Sequence, residues 1–551
     1  MVTSESSDKY SKANEERRKY VDTVLASKSP KKIVVAGPGT GKTYLFKRVL
    51  EGKKKALTLT FVNSLIEDLS IDLCGLSEVR TLHSFALGIV GKVGMDVSIF
   101  PRLSEVIGED AQLLLGQDID FDAILHDRDD RNKLLGFYHI RRDYYQHYGH
   151  ADVVFECARL FEQEPETIPT YEQVLVDEFQ DFNKLEVSLI DALAAKSPVL
   201  IAGDDDQALY AFKKASAEHI REKHGAADPD YESFTLPFCS RCTRVIVAAV
   251  NDLIESASAA GFLKNRIAKE YKYLDDTEKD KDSEHYPHIG YSQLFSGQIP
   301  WFIAKQIDGI ARDTRQKFSV LVISPTSIQC RSIAEALRDK GFQSVAYHDR
   351  QSEKEALFFD GLMLLLEDNK SNLGWRIVGQ TLLSVQTYQD VMQESFKNGK
   401  ALFDLVPADC KNVVKDTLTT LRAVRDSKPV DETRLSAALN KTHLDPHRLA
   451  REALVDEISH SQHLGNPGIR KVPIKVSTIP SSKGLAEDYV FITHFDDDFY
   501  GGTEKRKLTD QDICNLLVAL TRARKKVFLI SSKKVDPTLL KWIKPERINR
   551  L

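Results

Sequence analysis

Ile33-Val34-Val35-Ala36-Gly37-Pro38-Gly39-Thr40-Gly41-Lys42-Thr43 is an apolar run that ends in a glycine-rich turn and feeds a helical stretch. Strand, turn and helix in this order form a phosphate-binding loop. The glycines let backbone N–H groups close around phosphates, Lys42 sets a point charge on the β and γ oxygens, and the Thr43 hydroxyl can ligate Mg²⁺. Ala36 to Thr43 is therefore the candidate cradle for ATP, with Ala36 standing where the general pattern has glycine.

Hydrolysis leaves two jobs open, holding Mg²⁺ and activating the attacking water. The apolar strand Val174-Leu175-Val176 ends in Asp177-Glu178, which supplies one carboxylate to each: Asp177 to the metal and Glu178 as base. A third strand, Pro198 to Ala202, ends at Gly203-Asp204-Asp205-Asp206-Gln207, at the carboxyl end where ligands bind in open α/β sheets. Gln207 is thereby placed for the γ-phosphate or the water. Three consecutive acids also suit capping of the next segment, so Asp204 to Asp206 stay individually unassigned.

The 551 residues exceed one core, and three or four domains are expected. Strand-loop-helix alternation over 32–65 and 173–250 reads as one parallel sheet interrupted by an insertion at about 86–170. A second sheet begins at 318–324 and resumes at 474–478, 489–493 and 527–531, after a mostly helical insertion. Segment 136–148 mixes Tyr and Arg, either as a nucleic-acid surface or as a partly buried helix with snorkelling tyrosines. The charged stretch 275–288 reads as a solvated loop. A net charge of −5 argues against bulk attraction to DNA and leaves room for a locally basic groove. No apolar run is long enough to span a membrane, 1–19 lacks an apolar signal core, and seven cysteines fit a reducing cytoplasm. A cytoplasmic protein without a membrane partner is expected. Cys239-Ser240-Arg241-Cys242 has half the spacing of a zinc knuckle but no second close pair, so zinc ligation is not expected.

The order of the blocks resembles the UvrD/Rep-like branch of superfamily 1 helicases. Thr60-Phe61-Val62-Asn63 is similar to motif Ia, Thr81-Leu82-His83-Ser84-Phe85 to motif Ib, and Asp177-Glu178-Phe179-Gln180-Asp181 to motif II. Gly203 to Phe212 resembles motif III, Leu236 to Arg241 motif IV, Thr478 to Leu485 motif V and Val518 to Ala523 motif VI. The resemblance implies an α/β fold of two RecA-like P-loop NTPase domains, each with a parallel sheet, carrying mostly helical insertions. In that scheme 1–85 and 171–250 form domain 1A around insertion 1B at 86–170. Residues 251–380 and 471–551 form domain 2A around a short insertion 2B at 381–470.

The resemblance also implies that Arg241 and Arg522 reach the γ-phosphate across a cleft, an effect of roughly 10³ to 10⁵ in rate for arginine fingers. It implies a single-strand path at Phe61, Asn63, His83, Tyr210, Phe212 and Thr478, where aromatic faces stack on bases for about 1–3 kcal/mol each. Polar groups there bond phosphate and sugar without reading sequence, and Phe85 reads as an ordinary core aromatic. Several positions depart from the pattern: Arg17 for the glutamine that reads adenine, Ser240 for a base-stacking tyrosine, Pro480 for a histidine, Ala486-Glu487 for a glutamate, and Phe212-Lys213 for Trp-Arg. The implied activity is ATP-driven 3′-to-5′ movement on single-stranded DNA with unwinding of duplex DNA, in repair or defence. The short second insertion and altered base-binding residues also fit a DNA-sensing ATPase subunit that governs a partner nuclease, as in Gabija-type antiphage systems. No nuclease-like acidic cluster follows motif VI, so an appended nuclease domain is not expected.

Overall fold

The computed structural model describes residues 4–61, 63–208, 215–225, 228–314, 317–347, 353–425, 471–503 and 506–551. The first sheet contains β1 (Lys31–Ala36), β2 (Ala56–Thr60), β3 (Glu78–Thr81), β4 (Gln173–Val176), β5 (Val199–Gly203) and β6 (Glu232–Leu236). All pairings are parallel, in the order β3-β2-β4-β5-β1-β6. Ile33 and Val35 of β1 face one apolar cluster while Val34 and Ala36 face the other, and β4 and β5 divide their residues the same way. Burial on both faces is why these strands read as unbroken apolar runs.

A short parallel pair, β7 (Phe238–Cys239) with β8 (Lys272–Tyr273), lies between the two sheets in sequence. The second sheet is built from β9 (Ile289–Gln293), β10 (Val320–Ser324), β11 (Val345–Ala346), β12 (Ile474–Thr478), β13 (Glu487–Ile492), β14 (Ala523–Ser531) and β15 (Ile548–Arg550). Its order is β11-β12-β10-β13-β14-β9-β15, again parallel throughout. The chain is thus α/β, with two RecA-like parallel-sheet domains and helical insertions. No helix among the described residues is long and apolar enough to cross a membrane.

Three expectations need correction. Helix Arg244–Ala259 runs through the boundary drawn at 250/251, and its Ile246, Ala249 and Leu253 pack in the core of the second sheet. Continued strand-helix alternation had joined it to the first. The helical array after β11 begins at Glu353, ahead of 381, because Phe358, Leu362, Leu365, Trp375 and Val378 pack with Val391, Met392 and Val414 in a core apart from the sheet. Residues 426–470 of that insertion lie outside the described residues. The charged stretch 275–288 contains a helix, Thr277–His285, capped by Asp276, whose Asp280 turns inward to Arg244 Nη2 at 3.0 Å.

The first insertion contributes helices Leu103–Leu115, Leu135–Tyr145 and His150–Gln163, among others. Tyr138 and Tyr145 are buried, so the Tyr/Arg segment is a packed helix rather than an open surface. Asp110, fully buried, accepts from Arg141 Nε (3.0 Å), the Tyr145 hydroxyl (2.5 Å) and Arg376 Nε (2.9 Å), the last from helix Asn372–Leu382 of the second insertion. Arg376 also donates to Glu109 Oε2 (2.8 Å) and Val106 O (3.2 Å). Asp110→Ala should leave two buried guanidinium groups short of a carboxylate and cost about 3–5 kcal/mol. Faster hydrogen exchange in helices Leu103–Leu115 and Asn372–Leu382 is the measurement.

Candidate nucleotide site

A cavity of about 680 Å³ opens between the two sheets. One wall is the loop 37–43 with Asp177, Glu178 and Gln207; the other carries Lys475, Lys483, Glu487, Arg522 and Arg524, and Ser240 and Arg241 also line it. Gly39 and Gly41 have φ of +70° and +94°, a left-handed conformation that favours glycine. Gly41 opens helix Lys42–Leu50, so the loop delivers a helix N-terminus to the cavity. A Cβ on Gly39 would lie 2.4 Å from Arg241 Cβ, and Ser240 N–H donates to Gly39 O at 3.0 Å. Thr40 Oγ1 donates to Gly37 O at 2.8 Å. Ala36 is buried in the core and does not line the cavity.

Lys42 Nζ stands 2.6 Å from Glu178 Oε1 and 3.9 Å from Asp177 Oδ1. Burial alone would push Glu178 up, but Lys42 and Lys483 hold it well below the usual carboxylate range. Burial pushes Asp177 the other way, up to about 6. Its Oδ1 is buried and has no hydrogen-bond partner. That bare oxygen shares the cavity with Thr43, which makes the pair a fitting donor set for Mg²⁺. Glu178 has φ +54°, a strained value for a non-glycine residue that costs about 1–3 kcal/mol. Gln180 holds it there: Nε2 donates to Glu178 Oε2 at 2.7 Å, while Oε1 accepts from Asp204 N–H at 2.9 Å.

The second domain reaches in through two cations. Lys483 Nζ lies 2.6 Å from Asp181 Oδ2 and 3.8 Å from Glu178 Oε2, and donates to Gln207 O at 2.7 Å. Arg522 Nη2 donates to Gln207 Oε1 at 3.2 Å and Nε to Val518 O at 3.0 Å. Burial, with Arg241 nearby, pushes Arg522 down to about 10. The structure thus gathers Lys42, Thr43, Asp177, Glu178, Gln207, Arg241 and Arg522 around one cavity. Sequence reasoning missed Gln180, Asp181 and Lys483 as members of this network. All three lie inside quoted motifs, and a buried glutamine between acids was the available signal.

The proposed strand path is less complete. Phe61 is half-buried, its ring edge-on to Phe182 at 5.7 Å. His83 lies in the first turn of helix Leu82–Lys92, which Thr81 caps, its ring 5.3 Å from His150. These two residues leave the paired ends of β2 and β3, and Thr478 ends β12 in the other domain, donating to Ser481 Oγ at 3.1 Å. Tyr210, Phe212 and the Asn63 side chain lie outside the described residues. Phe85 is buried. Of the departures, Ser240, Ala486 and Glu487 line the cavity, Glu487 Oε1 pairing with Lys475 Nζ at 2.9 Å, and Arg17 lies against the loop with its guanidinium 5.5 Å from the Tyr44 ring. Cys239 and Cys242 are buried free thiols, with Cys242 N–H 3.5 Å from Cys239 Sγ. Among the described residues the one group of three metal-type ligands is Asp204, Asp205 and Asp206.

Gly39→Ala should clash with Arg241 and strain the loop, weakening binding of a fluorescent ATP analogue by about tenfold or more. Asp181 is pushed by burial up to about 7 from 3.8. The folded chain therefore keeps a proton that the unfolded chain releases, so stability falls as pH rises between those two values. Asp181→Asn should flatten that fall relative to the unsubstituted chain, read as melting temperature from about pH 4 to 7.

The family described as UvrD/REP helicase N-terminal domain matches residues 104–227. DNA helicase II of Haemophilus influenzae is 29% identical over 219 residues, 38% of this chain and 28% of that protein. ATP-dependent DNA helicase PcrA is 25% identical over 280 residues in Bacillus subtilis, 47% of this chain and 36% of the relative. In Staphylococcus aureus it is 23% identical over 268 residues, 46% and 34% respectively. The matches thus span about a third of the length of these relatives. Taken with two parallel sheets on either side of a phosphate-binding loop, these matches make the chain similar, over part of its length, to UvrD/Rep-like helicases.

Proposed function

We propose that this chain is a DNA-dependent ATPase that moves 3′ to 5′ along single-stranded DNA and separates duplex DNA, acting in the cytoplasm. The observation that carries the reading is the cavity in which Lys42 and Glu178 of one domain meet Lys483 and Arg522 of the other. A site whose opposite walls both hold the terminal phosphate couples hydrolysis to closure and opening. The names of the PcrA relatives as ATP-dependent DNA helicases support this reading.

In this assignment Lys42 and the amides of 37–43 bind the phosphates, and Thr43 and Asp177 hold Mg²⁺, which when bound neutralises phosphate charge. Glu178, ionised at neutral pH, accepts the proton of the attacking water, with Gln207 orienting it. Arg241 and Arg522 stabilise charge on the transferring phosphoryl group. Phe61, Asn63, His83, Tyr210, Phe212 and Thr478 remain the assigned strand path. Domains 1A and 2A follow the two sheets, and insertions 1B and 2B the helices between β3 and β4 and between β11 and β12.

One observation favours a second reading, a DNA-sensing ATPase that controls a partner nuclease. The buried junction at Asp110 joins the two insertions, which suits a sensor better than a freely swinging unwinding arm. Strand displacement by the isolated chain separates the readings: robust unwinding supports the motor, and ATPase without unwinding supports the sensor. Lys42→Ala and Glu178→Gln should each lower DNA-stimulated ATP hydrolysis by about 10³-fold or more. Arg522→Ala should slow turnover while leaving nucleotide binding within about threefold.

A further inference from the structure

Residues 263–273 connect helix Arg244–Ala259 to β8 and touch two of the loops that line the cavity. Lys269 Nζ lies 2.8 Å from Asp204 Oδ1, 2.6 Å from Asp205 Oδ1 and 2.8 Å from Asp206 Oδ2. These three carboxylates converge closely enough to hold a metal ion, and the buried ammonium of Lys269 is the cation they hold. Arg266 Nε, 2.9 Å from both Asp206 oxygens, and Arg221 Nε, 3.3 Å from Asp205 Oδ2, supply the remaining positive charge.

Asp204 faces Lys269 with one oxygen and Gln207 with the other. Its Oδ2 accepts from Gln207 Nε2 at 2.7 Å, and Gln207 Oε1 then accepts from Arg522 Nη2 at 3.2 Å. An amide donates at one end and accepts at the other, so a carboxylate on its NH₂ end decides that its oxygen meets the guanidinium. Turned over, Gln207 would present donors to a donor. Two residues beyond Lys269, the Tyr271 hydroxyl donates to Pro38 O at 2.9 Å, and a Cβ on Gly37 would lie 2.9 Å from the Tyr271 ring. The same short segment therefore fixes both the phosphate loop and the loop that carries Gln207.

We propose that Lys269 is a positioning residue for ATP turnover, acting through Asp204 to set the orientation of Gln207 and so the alignment of Arg522. The assignment deepens the nucleotide-hydrolysis reading and rests on it. A purely structural role for Lys269, neutralising three buried acids, lowers stability but gives no reason for its effect on turnover to vanish once Gln207 is gone.

The test uses the full chain with a saturating single-stranded oligonucleotide, reading steady-state ATP hydrolysis and binding of mant-ATP. Lys269→Met should lower kcat by about tenfold while mant-ATP affinity stays within about threefold. Adding Lys269→Met to Gln207→Ala should slow turnover by less than about twofold beyond Gln207→Ala alone. Unchanged kcat in Lys269→Met, or multiplying losses in the double variant, overturns the proposal. Where Lys269→Met does not melt cooperatively, Lys269→Arg replaces it. Arg keeps the charge, but its planar fork cannot meet three carboxylates as a compact ammonium does. It should retain the melting temperature and mant-ATP binding yet lose about threefold or more in kcat, and full kcat in that variant overturns the assignment. If the unsubstituted chain shows no hydrolysis that Lys42→Ala removes, the ATPase reading itself fails and takes the proposal with it. Hydrolysis that is intact and indifferent to residue 269 defeats the proposal alone.

Discussion

An ionised carboxylate inside a protein needs opposite charge close by, and at Glu178 that charge comes from both halves of the molecule. Lys42 arrives on the phosphate loop of the first sheet and Lys483 on the turn after β12 of the second. Neither sheet alone compensates the acidic pair Glu178 and Asp181. The electrostatics of one buried cluster therefore hold the two domains in register, and the backbone strain at Glu178 is sustained by the Gln180 hydrogen bond within the same cluster.

Around that cluster the strand ends do the placing. β1, β4 and β5 are neighbours in a parallel sheet, so the loops after them emerge side by side and bring residues over a hundred positions apart in sequence into contact. The second domain contributes from the turn after β12 and the end of helix Asp510–Leu520. Gln207 is the meeting point, held through its side chain by Asp204 and Arg522 and through its backbone oxygen by Lys483.

The glycine-rich loop and the Asp177-Glu178 pair were legible in sequence as candidates because each joins an apolar strand to polar residues at fixed spacing, and the structure brings both to the wall of one cavity. The parallel sheets were legible for the same reason: strands buried on both faces carry no polar alternation. What escaped was set by distant partners. Asp204 does cap the turn that follows, its Oδ1 accepting from Asp206 N–H at 3.2 Å, but nothing local announced Lys269, more than sixty residues on, which closes over all three acids. The boundary at 250 failed because helix Arg244–Ala259 has the same pattern whichever sheet it packs on. The helix at Thr277–His285 was hidden by its charge, since its inward contact is an ion pair between Asp280 and Arg244 rather than an apolar stripe.

The joint at Asp110 gives the molecule a second attachment, outside the cavity that Lys42 and Arg522 line. One insertion is rooted between β3 and β4, the other between β11 and β12, and the buried acid fastens their helices to each other. Arg376 on one insertion cannot leave Asp110 on the other without stranding a buried charge, so any separation of the two insertions carries an electrostatic penalty.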